Sequence, residues 1–521
     1  MSVPHDPEVN PSESSPLLPP PLGPPPPIDD DEAPVIVTEL PLARVYLIIG
    51  TTYIGTFLGA IDSTVIATLS APISSEFSSM RLFSWLATAY LISNAACQPI
   101  SGRLTDIFGR GPGLVFSNIV FALGNLMCGL ARNEVWMIAG RVVAGIGGGG
   151  IMSISTFLGS DLVPLRKRGV LQGIGNVCYG SGAMLGGLFG GWFHDNTAGG
   201  WRLAFLVQVP PTLVSAVLVA WLVRVPPKVS VSGKGYLGRI DFGGVVLTVS
   251  FLVLLLLGLN AGGNLVPWTH PLPLTTIPLA IVLMGVMFVW EGRAAQPIVP
   301  VRLLADRTVA FACLTNLCTT MVMLAMLFYI PLYLQVLGYS ATKAGVILLF
   351  SPVGVSICSL SSGYIMKHTG KYYYLGIAVV AMFQIGCAIT LSFGLETPLA
   401  WIKASFFLMG GGYGAMLTVT LLACISAIDH SQQAVITSCT YLFRSLGSTV
   451  GITIASVVFQ NILNDRLWLF FGSDPDAAAI VDKIVKSIDS VQNLPLEWQK
   501  PATAAYMDAF KGVWITMFSI G

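Results

Sequence analysis

The sequence predicts an all-α membrane protein of two six-helix halves with two further helices between them, and three observations carry that expectation. Of 521 residues, 54% are apolar and only 10% charged, whereas a soluble chain carries about 25% charged residues. The apolar residues gather in runs near the roughly 20 that a spanning helix needs. One glycine-anchored pattern also returns 261 residues later, as Gly102-Arg-Leu-Thr-Asp106-Ile-Phe-Gly109-Arg110 and then Gly363-Tyr-Ile-Met-Lys367-His-Thr-Gly370-Lys371. At the same offset Gly186 and Gly190 fall on Gly447 and Gly451, while Gly182 falls on Phe443. Such a parallel repeat, half a chain long and rich in apolar segments, is the pattern of duplicated transporter halves.

Residues 1–40 differ in composition from everything after them. Prolines crowd Pro16 to Pro27 and Asp29 to Glu32 follow, so this tail is expected to be extended, disordered and cytosolic. It has no basic stretch followed by an apolar core, and the first spanning helix must therefore act as the membrane signal. Thirteen spans are expected near 43–68, 84–102, 112–131, 135–158, 170–194, 201–224, 241–260, 274–291, 309–337, 341–366, 372–395, 399–427 and 432–463. A fourteenth begins near Phe510, and the residues up to Gly521 supply only about 18 Å of helix, so it reads as truncated. The expected organisation is a tail (1–40), a first half (41–224), a linker with two extra spans (225–308) and a second half (309–521) with a long non-cytosolic loop at 464–510. In that loop Ile480, Ile484, Ile488 and Val491 recur at helical spacing, which fits either an amphipathic helix on the membrane or a plain solvated one.

Charge fixes the expected orientation and excludes other functions. With the N-terminus cytosolic, fourteen Lys and Arg residues, among them Arg103, Arg110, Arg166, Lys167, Arg168 and Lys367, fall in connections on the cytosolic side. The opposite connections before residue 464 hold five. The overall balance of 27 basic and 26 acidic side chains gives no reason to expect nucleic acid. Nine cysteines lie in apolar runs without metal-ligand spacing and read as small buried hydrophobes, so neither a metal nor a cofactor is expected. No cluster of His, Cys and carboxylates supports an enzyme, and Gly147 to Gly150 lacks the Lys-Ser/Thr of a phosphate loop.

Charges inside spans mark candidate functional residues, because each costs several kcal/mol at the bilayer centre. Asp62 and Arg141 are expected to face a polar cavity, with Asp62 the candidate proton carrier; the alternative is a static ion pair between them. Arg444 is a second intramembrane cation, placed to bind a substrate carboxylate or to pair with Asp429. Asp106, between glycines, is expected to cap the next helix and latch a gate formed by Gly102, Asp106, Gly109 and Arg110. Gly182, Gly186, Gly190 and Gly191 offer a small-residue face for close helix packing. Asn94, Gln98, Asn176, Tyr179, Asn316, Tyr329, Gln384, Tyr413 and Tyr441 are polar or aromatic within spans and are the expected cavity lining, shared between substrate contacts and packed polar groups.

These residues resemble the major facilitator superfamily, and within it the fourteen-span drug:proton antiporter branch, over about 43–463. Ile61-Asp62-Ser-Thr-Val-Ile-Ala-Thr-Leu-Ser-Ala-Pro72 is similar to that branch's first-helix signature. Gly102 to Arg110 resembles the cytosolic motif between helices two and three, with Ile107 and Gly111-Pro112 in place of basic residues. Arg141-Val-Val-Ala-Gly145-Ile-Gly-Gly resembles the proton-transfer motif, and the glycines from Gly173 to Gly191 the antiporter motif, with Gly187 in place of its proline. The resemblance implies the major facilitator fold, alternating access, coupling to protons, and small-molecule substrates handled among membrane lipids. The chain is also similar to fungal vacuolar basic amino acid transporters, which puts vacuolar amino acid import ahead of multidrug export at the plasma membrane and of a receptor that binds nutrients without moving them.

The tail adds an address: Glu13-Ser-Ser-Pro-Leu17-Leu18 matches the acidic dileucine pattern read by sorting adaptors. Changing Leu17 and Leu18 together to Ala is expected to move a fluorescently tagged copy away from the vacuolar membrane. A tagged double variant that stays vacuolar on imaging removes the signal.

Overall fold

The computed structural model describes residues 41–77, 80–163, 165–223, 241–262, 266–294, 301–339, 341–428, 432–471 and 496–521. The tail with its Glu13, Leu17 and Leu18, the Ile480 to Val491 segment and Asp429 lie outside them. The first half comprises α1 (Leu42–Glu76), α2 (Met80–Phe108), α3 (Arg110–Gly129), α4 (Glu134–Leu162), α5 (Leu165–Asn196) and a broken sixth span, α6 (Gly200–Leu206) with α7 (Val209–Leu222). The central pair is α8 (Phe242–Ala261) and α9 (Pro271–Glu291), followed by the short α10 (Val301–Leu304). The second half is α11 (Arg307–Val336), a broken span α12 (Ala341–Leu348) with α13 (Phe350–Thr369), α14 (Tyr373–Thr390), α15 (Leu399–Ser426), α16 (Gln433–Phe471) and α17 (Leu496–Ile520). Eleven of these segments are long and apolar enough to cross a membrane. At 29, 32 and 25 residues α2, α5 and α17 are also long enough, though more polar.

The ends and breaks follow from side chains. Asp306 caps α11 by accepting from the amides of Thr308 and Val309 at 2.9 and 3.2 Å, and Asn133 caps α4 through Trp136 at 2.8 Å. Gly370 closes α13 with φ of 66°, which costs an L side chain steric strain. Between α6 and α7, Pro210 and Pro211 bring no amide hydrogen, so the ladder restarts there as a new first turn. Where α1 meets α6, partial burial pushes the Glu76 carboxyl up, but the Trp201 indole at 2.6 Å and Arg202 at 2.7 Å outweigh it and hold Glu76 below its ordinary value.

The 261-residue offset carries the first five spans of one half onto the first five of the other. α1 packs on α5 as α11 packs on α16, and α4 packs on both α2 and α3 as α15 packs on both α13 and α14. The glycines explain the first pair of contacts. A Cβ on Gly182 would lie 2.5 Å from the Phe57 carbonyl oxygen, one on Gly186 would meet Thr64 and lie 2.6 Å from the Ile61 oxygen, and one on Gly190 would lie 2.7 Å from Val65. On the second half, Gly447 and Gly451 stand against the carbonyls of Leu317 and Met321 in the same way. Gly191 does not join the seam expected of it: its Cβ position has nothing within 4 Å, because one residue past Gly190 is 100° around the helix.

The end of the chain corrects a second expectation. α17 starts at Leu496 rather than Phe510 and runs 25 residues, about 37 Å and long enough to cross, so residues 496–510 are helix and not loop. Its inner face opens with Ala502, Ala505 and Ala509, all fully buried, where an apolar-run count sees too little hydrophobicity. Asp508 pairs with Arg466 on α16 at 3.0 Å, and α16 itself continues to Phe471, through the start of the expected loop. An aromatic cluster then fastens α17 to the second half: Phe510 and Trp514 stack at 5.8 Å, Tyr333 of α11 stands edge-on to both, and Phe459 of α16 lies 5.1 Å from Phe510.

Gly186→Val is expected to destabilise the protein by about 1–3 kcal/mol through overpacking of the α1–α5 seam. Gly191→Ala is expected to stay within about 0.5 kcal/mol. Melting midpoints of the two purified variants check both; equal midpoints contradict the seam.

Candidate functional site

The two halves meet at the end that carries the basic loops, and glycines bring them there. A Cβ on Gly102 of α2 would meet Ser438 and lie 3.1 Å from the Ala434 carbonyl of α16; one on Gly363 of α13 would meet the Gly169 carbonyl and lie 2.7 Å from the Val170 nitrogen of α5. The first glycine of each copy of the repeated motif thus sits at a contact between halves, related to the other by the internal repeat. Among the described residues, four hydrogen bonds join the halves: Arg168 to Gln433 at 2.9 Å, Thr156 with Tyr441 at 2.8 Å, Asn176 to Ser359 at 2.8 Å and Ser445 to Gln98 at 3.0 Å. All eight residues lie within about 18 Å of the basic end along their helices. The passage is therefore sealed on that side.

Behind the seal, Arg110 is held by two carboxylates. Its guanidinium reaches Asp106 at 2.6 Å and Asp161 at 3.0 Å, donates to Thr105 at 2.5 Å, and lies 5.4 Å over the Phe157 ring. Asp106 does not cap α3 as expected: the cap position is Gly109, with φ of 94° and no side-chain bond, and Asp106 is a turn too early, inside α2, where it faces Arg110. The left-handed φ explains the glycine. Asp161 and Gln433 were not among the sequence candidates; a carboxylate ending an apolar run beside Arg166-Lys167-Arg168 was the available signal for the first.

Asp62 and Arg141 are fully buried and form an ion pair with each other. Arg141 donates to Asp62 at 2.9 Å and to the Leu86 carbonyl at 3.0 Å, and lies 4.4 Å over the Tyr90 ring. The second oxygen of Asp62 has no hydrogen-bond partner among the described residues. The pair ties α1 to α4 inside the first half, about 30 Å along α1 from Leu42 and so far from the sealed end. Enclosure follows from the glycines around it: Gly145 and Gly148 let α2 close over α4 at Ser93 and Tyr90, a ring that carries no charge and gives no sequence signal.

A third arginine borders the space between the halves. Arg444 lies 4.8 Å from the Tyr441 ring, with the Tyr413 hydroxyl in bonding reach and Tyr179 nearby. It lines a small cavity with Gln172, Asn316, Thr420, Thr440 and Tyr441. The enclosed space is about 10 Å³, room for about one water molecule. Asn94 accepts from Gln98 at 2.8 Å, linking the lining to Ser445, and Asn316 donates to Thr420 at 2.9 Å. Two expected lining residues lie elsewhere. Tyr329 packs on Phe459 at 5.2 Å in the core of the second half, and Gln384 donates to the Phe518 carbonyl of α17 at 3.0 Å. Both side chains pack within one bundle, and the Gln384 side-chain oxygen has no hydrogen-bond partner among the described residues.

Residues 52–452 match the model of the Major Facilitator Superfamily. The chain is 39% identical to the multidrug resistance protein fnx1 of Schizosaccharomyces pombe, over 88% of this chain and 87% of that one. It is 32% identical to the vacuolar membrane amino acid uptake transporter fnx2 of the same yeast, over 85% and 77%. It is 30% identical to the vacuolar basic amino acid transporter 1 of Saccharomyces cerevisiae, over 80% and 78%. Among solved structures, the proton:xylose symporter XylE shares the fold at 14% identity, with a TM-score of 0.57 over 92% of this chain and 95% of that one.

Asp106→Asn removes one of the two charges that hold Arg110. Turnover is expected to fall about 10-fold or more while substrate affinity stays within a few-fold, since the lost contact lies at the basic end of the first half, away from the cavity. Transport rates beside equilibrium binding on the purified variant check the split; a selective loss of binding contradicts it.

Proposed function

Because the chain belongs to the Major Facilitator Superfamily, we propose that it is a proton-coupled antiporter that carries basic amino acids from the cytosol into the vacuole by alternating access. The observation that carries the coupling is the sealed Asp62–Arg141 pair, at 2.9 Å, with its one unsatisfied carboxylate oxygen. A proton arriving on Asp62 cancels the charge that answers Arg141 and loosens α1 from α4; its departure restores the tie. The ion pair that competes with proton exchange is thus also the element the proton would switch. Substrate and membrane are supported by the likeness to the two vacuolar amino acid transporters, and the distribution of basic loops supports a cytosolic N-terminus. In that orientation the glycine-lined seal faces the cytosol. A second reading, proton-driven export of drugs, is favoured by the 39% identity to the multidrug resistance protein.

Uptake of labelled lysine, histidine and arginine into isolated vacuoles, with and without a protonophore, tests the reading. Wild-type protein is expected to accumulate at least one of them only while the lumen is acidic. Asp62→Asn is expected to abolish accumulation yet keep exchange of internal for external substrate. Removing one charge of a buried pair costs about 3–5 kcal/mol, so the amount of folded protein is measured alongside. An Asp62→Asn protein that still responds fully to a pH step sinks the assignment of the proton to Asp62, and drug efflux without amino acid uptake selects the second reading.

A further inference from the structure

We infer that Arg444 is the carboxylate subsite of the transport path, so that a cargo must present a carboxylate to be carried and its decarboxylated counterpart is refused; this rests on the reading above that the cargo is an amino acid. The inference starts from how the arginines inside the bundle are answered. Arg110 has two carboxylates and Arg141 has one. Among the described residues no carboxylate lies within ion-pair distance of Arg444, whose neighbours are the Tyr441 ring at 4.8 Å and the neutral hydroxyl of Tyr413. Arg444 stands eleven residues into α16 from Gln433, about 16 Å from the sealed end and near mid-membrane, beyond the reach of a side chain at the helix end. A cation kept at that depth costs several kcal/mol, and such residues mark ligand sites when no counter-charge is built in.

The position suits a transient counter-charge. Arg444 borders the cavity together with Gln172 from the opposite half, so an anion bound there touches both halves and senses whether they are closed. A guanidinium presents two parallel N–H groups that match a carboxylate in a way an ammonium does not. The rings of Tyr179, Tyr413 and Tyr441 are neutral faces on which the cationic end of the same molecule can rest. A diamine brings cationic ends only and meets Arg444 as a like charge, which is rejection built into the passage.

The test compares lysine with cadaverine, and arginine with agmatine, as inhibitors of labelled lysine uptake by the full-length protein in proteoliposomes with an acidic lumen. For wild type, each decarboxylated analogue is expected to inhibit about 30- to 100-fold more weakly than its amino acid, the discrimination that one charge-assisted bidentate contact supplies. Arg444→Gln is expected to raise the KM for lysine by a similar factor and to shrink the lysine-to-cadaverine ratio towards one, and Arg444→Lys to recover part of both. Loss of a merely structural arginine would lower the amount of active protein without moving that ratio. Equal inhibition of wild type by lysine and cadaverine overturns the subsite even if no variant folds, and so does an unchanged ratio in Arg444→Gln; amino acid transport then still stands. Wild-type protein that takes up no amino acid at all overturns both.

Discussion

An arginine inside an apolar bundle needs an answering group, and this molecule is organised around three of them. Arg110 is clamped by Asp106 and Asp161 at the sealed end, where the charges lock α2, α3 and α4 into one piece. Arg141 has one carboxylate, one carbonyl and one aromatic face, enough to hold it in place and few enough that a single proton alters the balance. Arg444 has tyrosines and no carboxylate among the described residues. The degree of compensation falls from two charges to one to none. In the function proposed, the same series runs from rigid part to switch to binding site, as expected where only incompletely satisfied groups are free to respond to a ligand.

The glycines complement the arginines. Along α1–α5 and α11–α16 they bring backbones together within each half, and at Gly102 and Gly363 they do so between halves. Contact through backbone needs no rotamer change to form or separate; in the function proposed, the glycine contacts part without repacking, and the side-chain hydrogen bonds between the halves are what must break. The internal repeat supplies two such contacts from one motif, which is why the halves meet symmetrically.

Much of this was legible in the sequence because it rests on local composition. Span positions follow from apolar runs, and the 261-residue offset marks which segments of the two halves correspond. What was not legible depends on packing across elements. Gly190 and Gly191 look alike in the chain, yet 100° of helix rotation puts one in a seam and the other in the open. Asp62 and Arg141 were recognisable as costly charges, but their enclosure depends on Gly145, Gly148 and Tyr90, none of which announces it. Tyr329 and Gln384 had the chemistry of a lining and lie in the wall behind it. α17 was underestimated because its inner face opens with alanines, whose smallness rather than hydrophobicity lets it dock.

The aromatic cluster that holds α17 has a consequence for biogenesis. Tyr333 on α11 meets Phe510 and Trp514 only after about 180 further residues have left the ribosome, roughly ten seconds or more at ordinary synthesis rates. Until then the second half lacks the wall that buries Tyr333, Phe393 and Phe459, whereas the first half already has all its helices. The first bundle can set while the second waits with an open aromatic flank, so nascent chains interrupted before Trp514 should be the species that membrane quality control recognises.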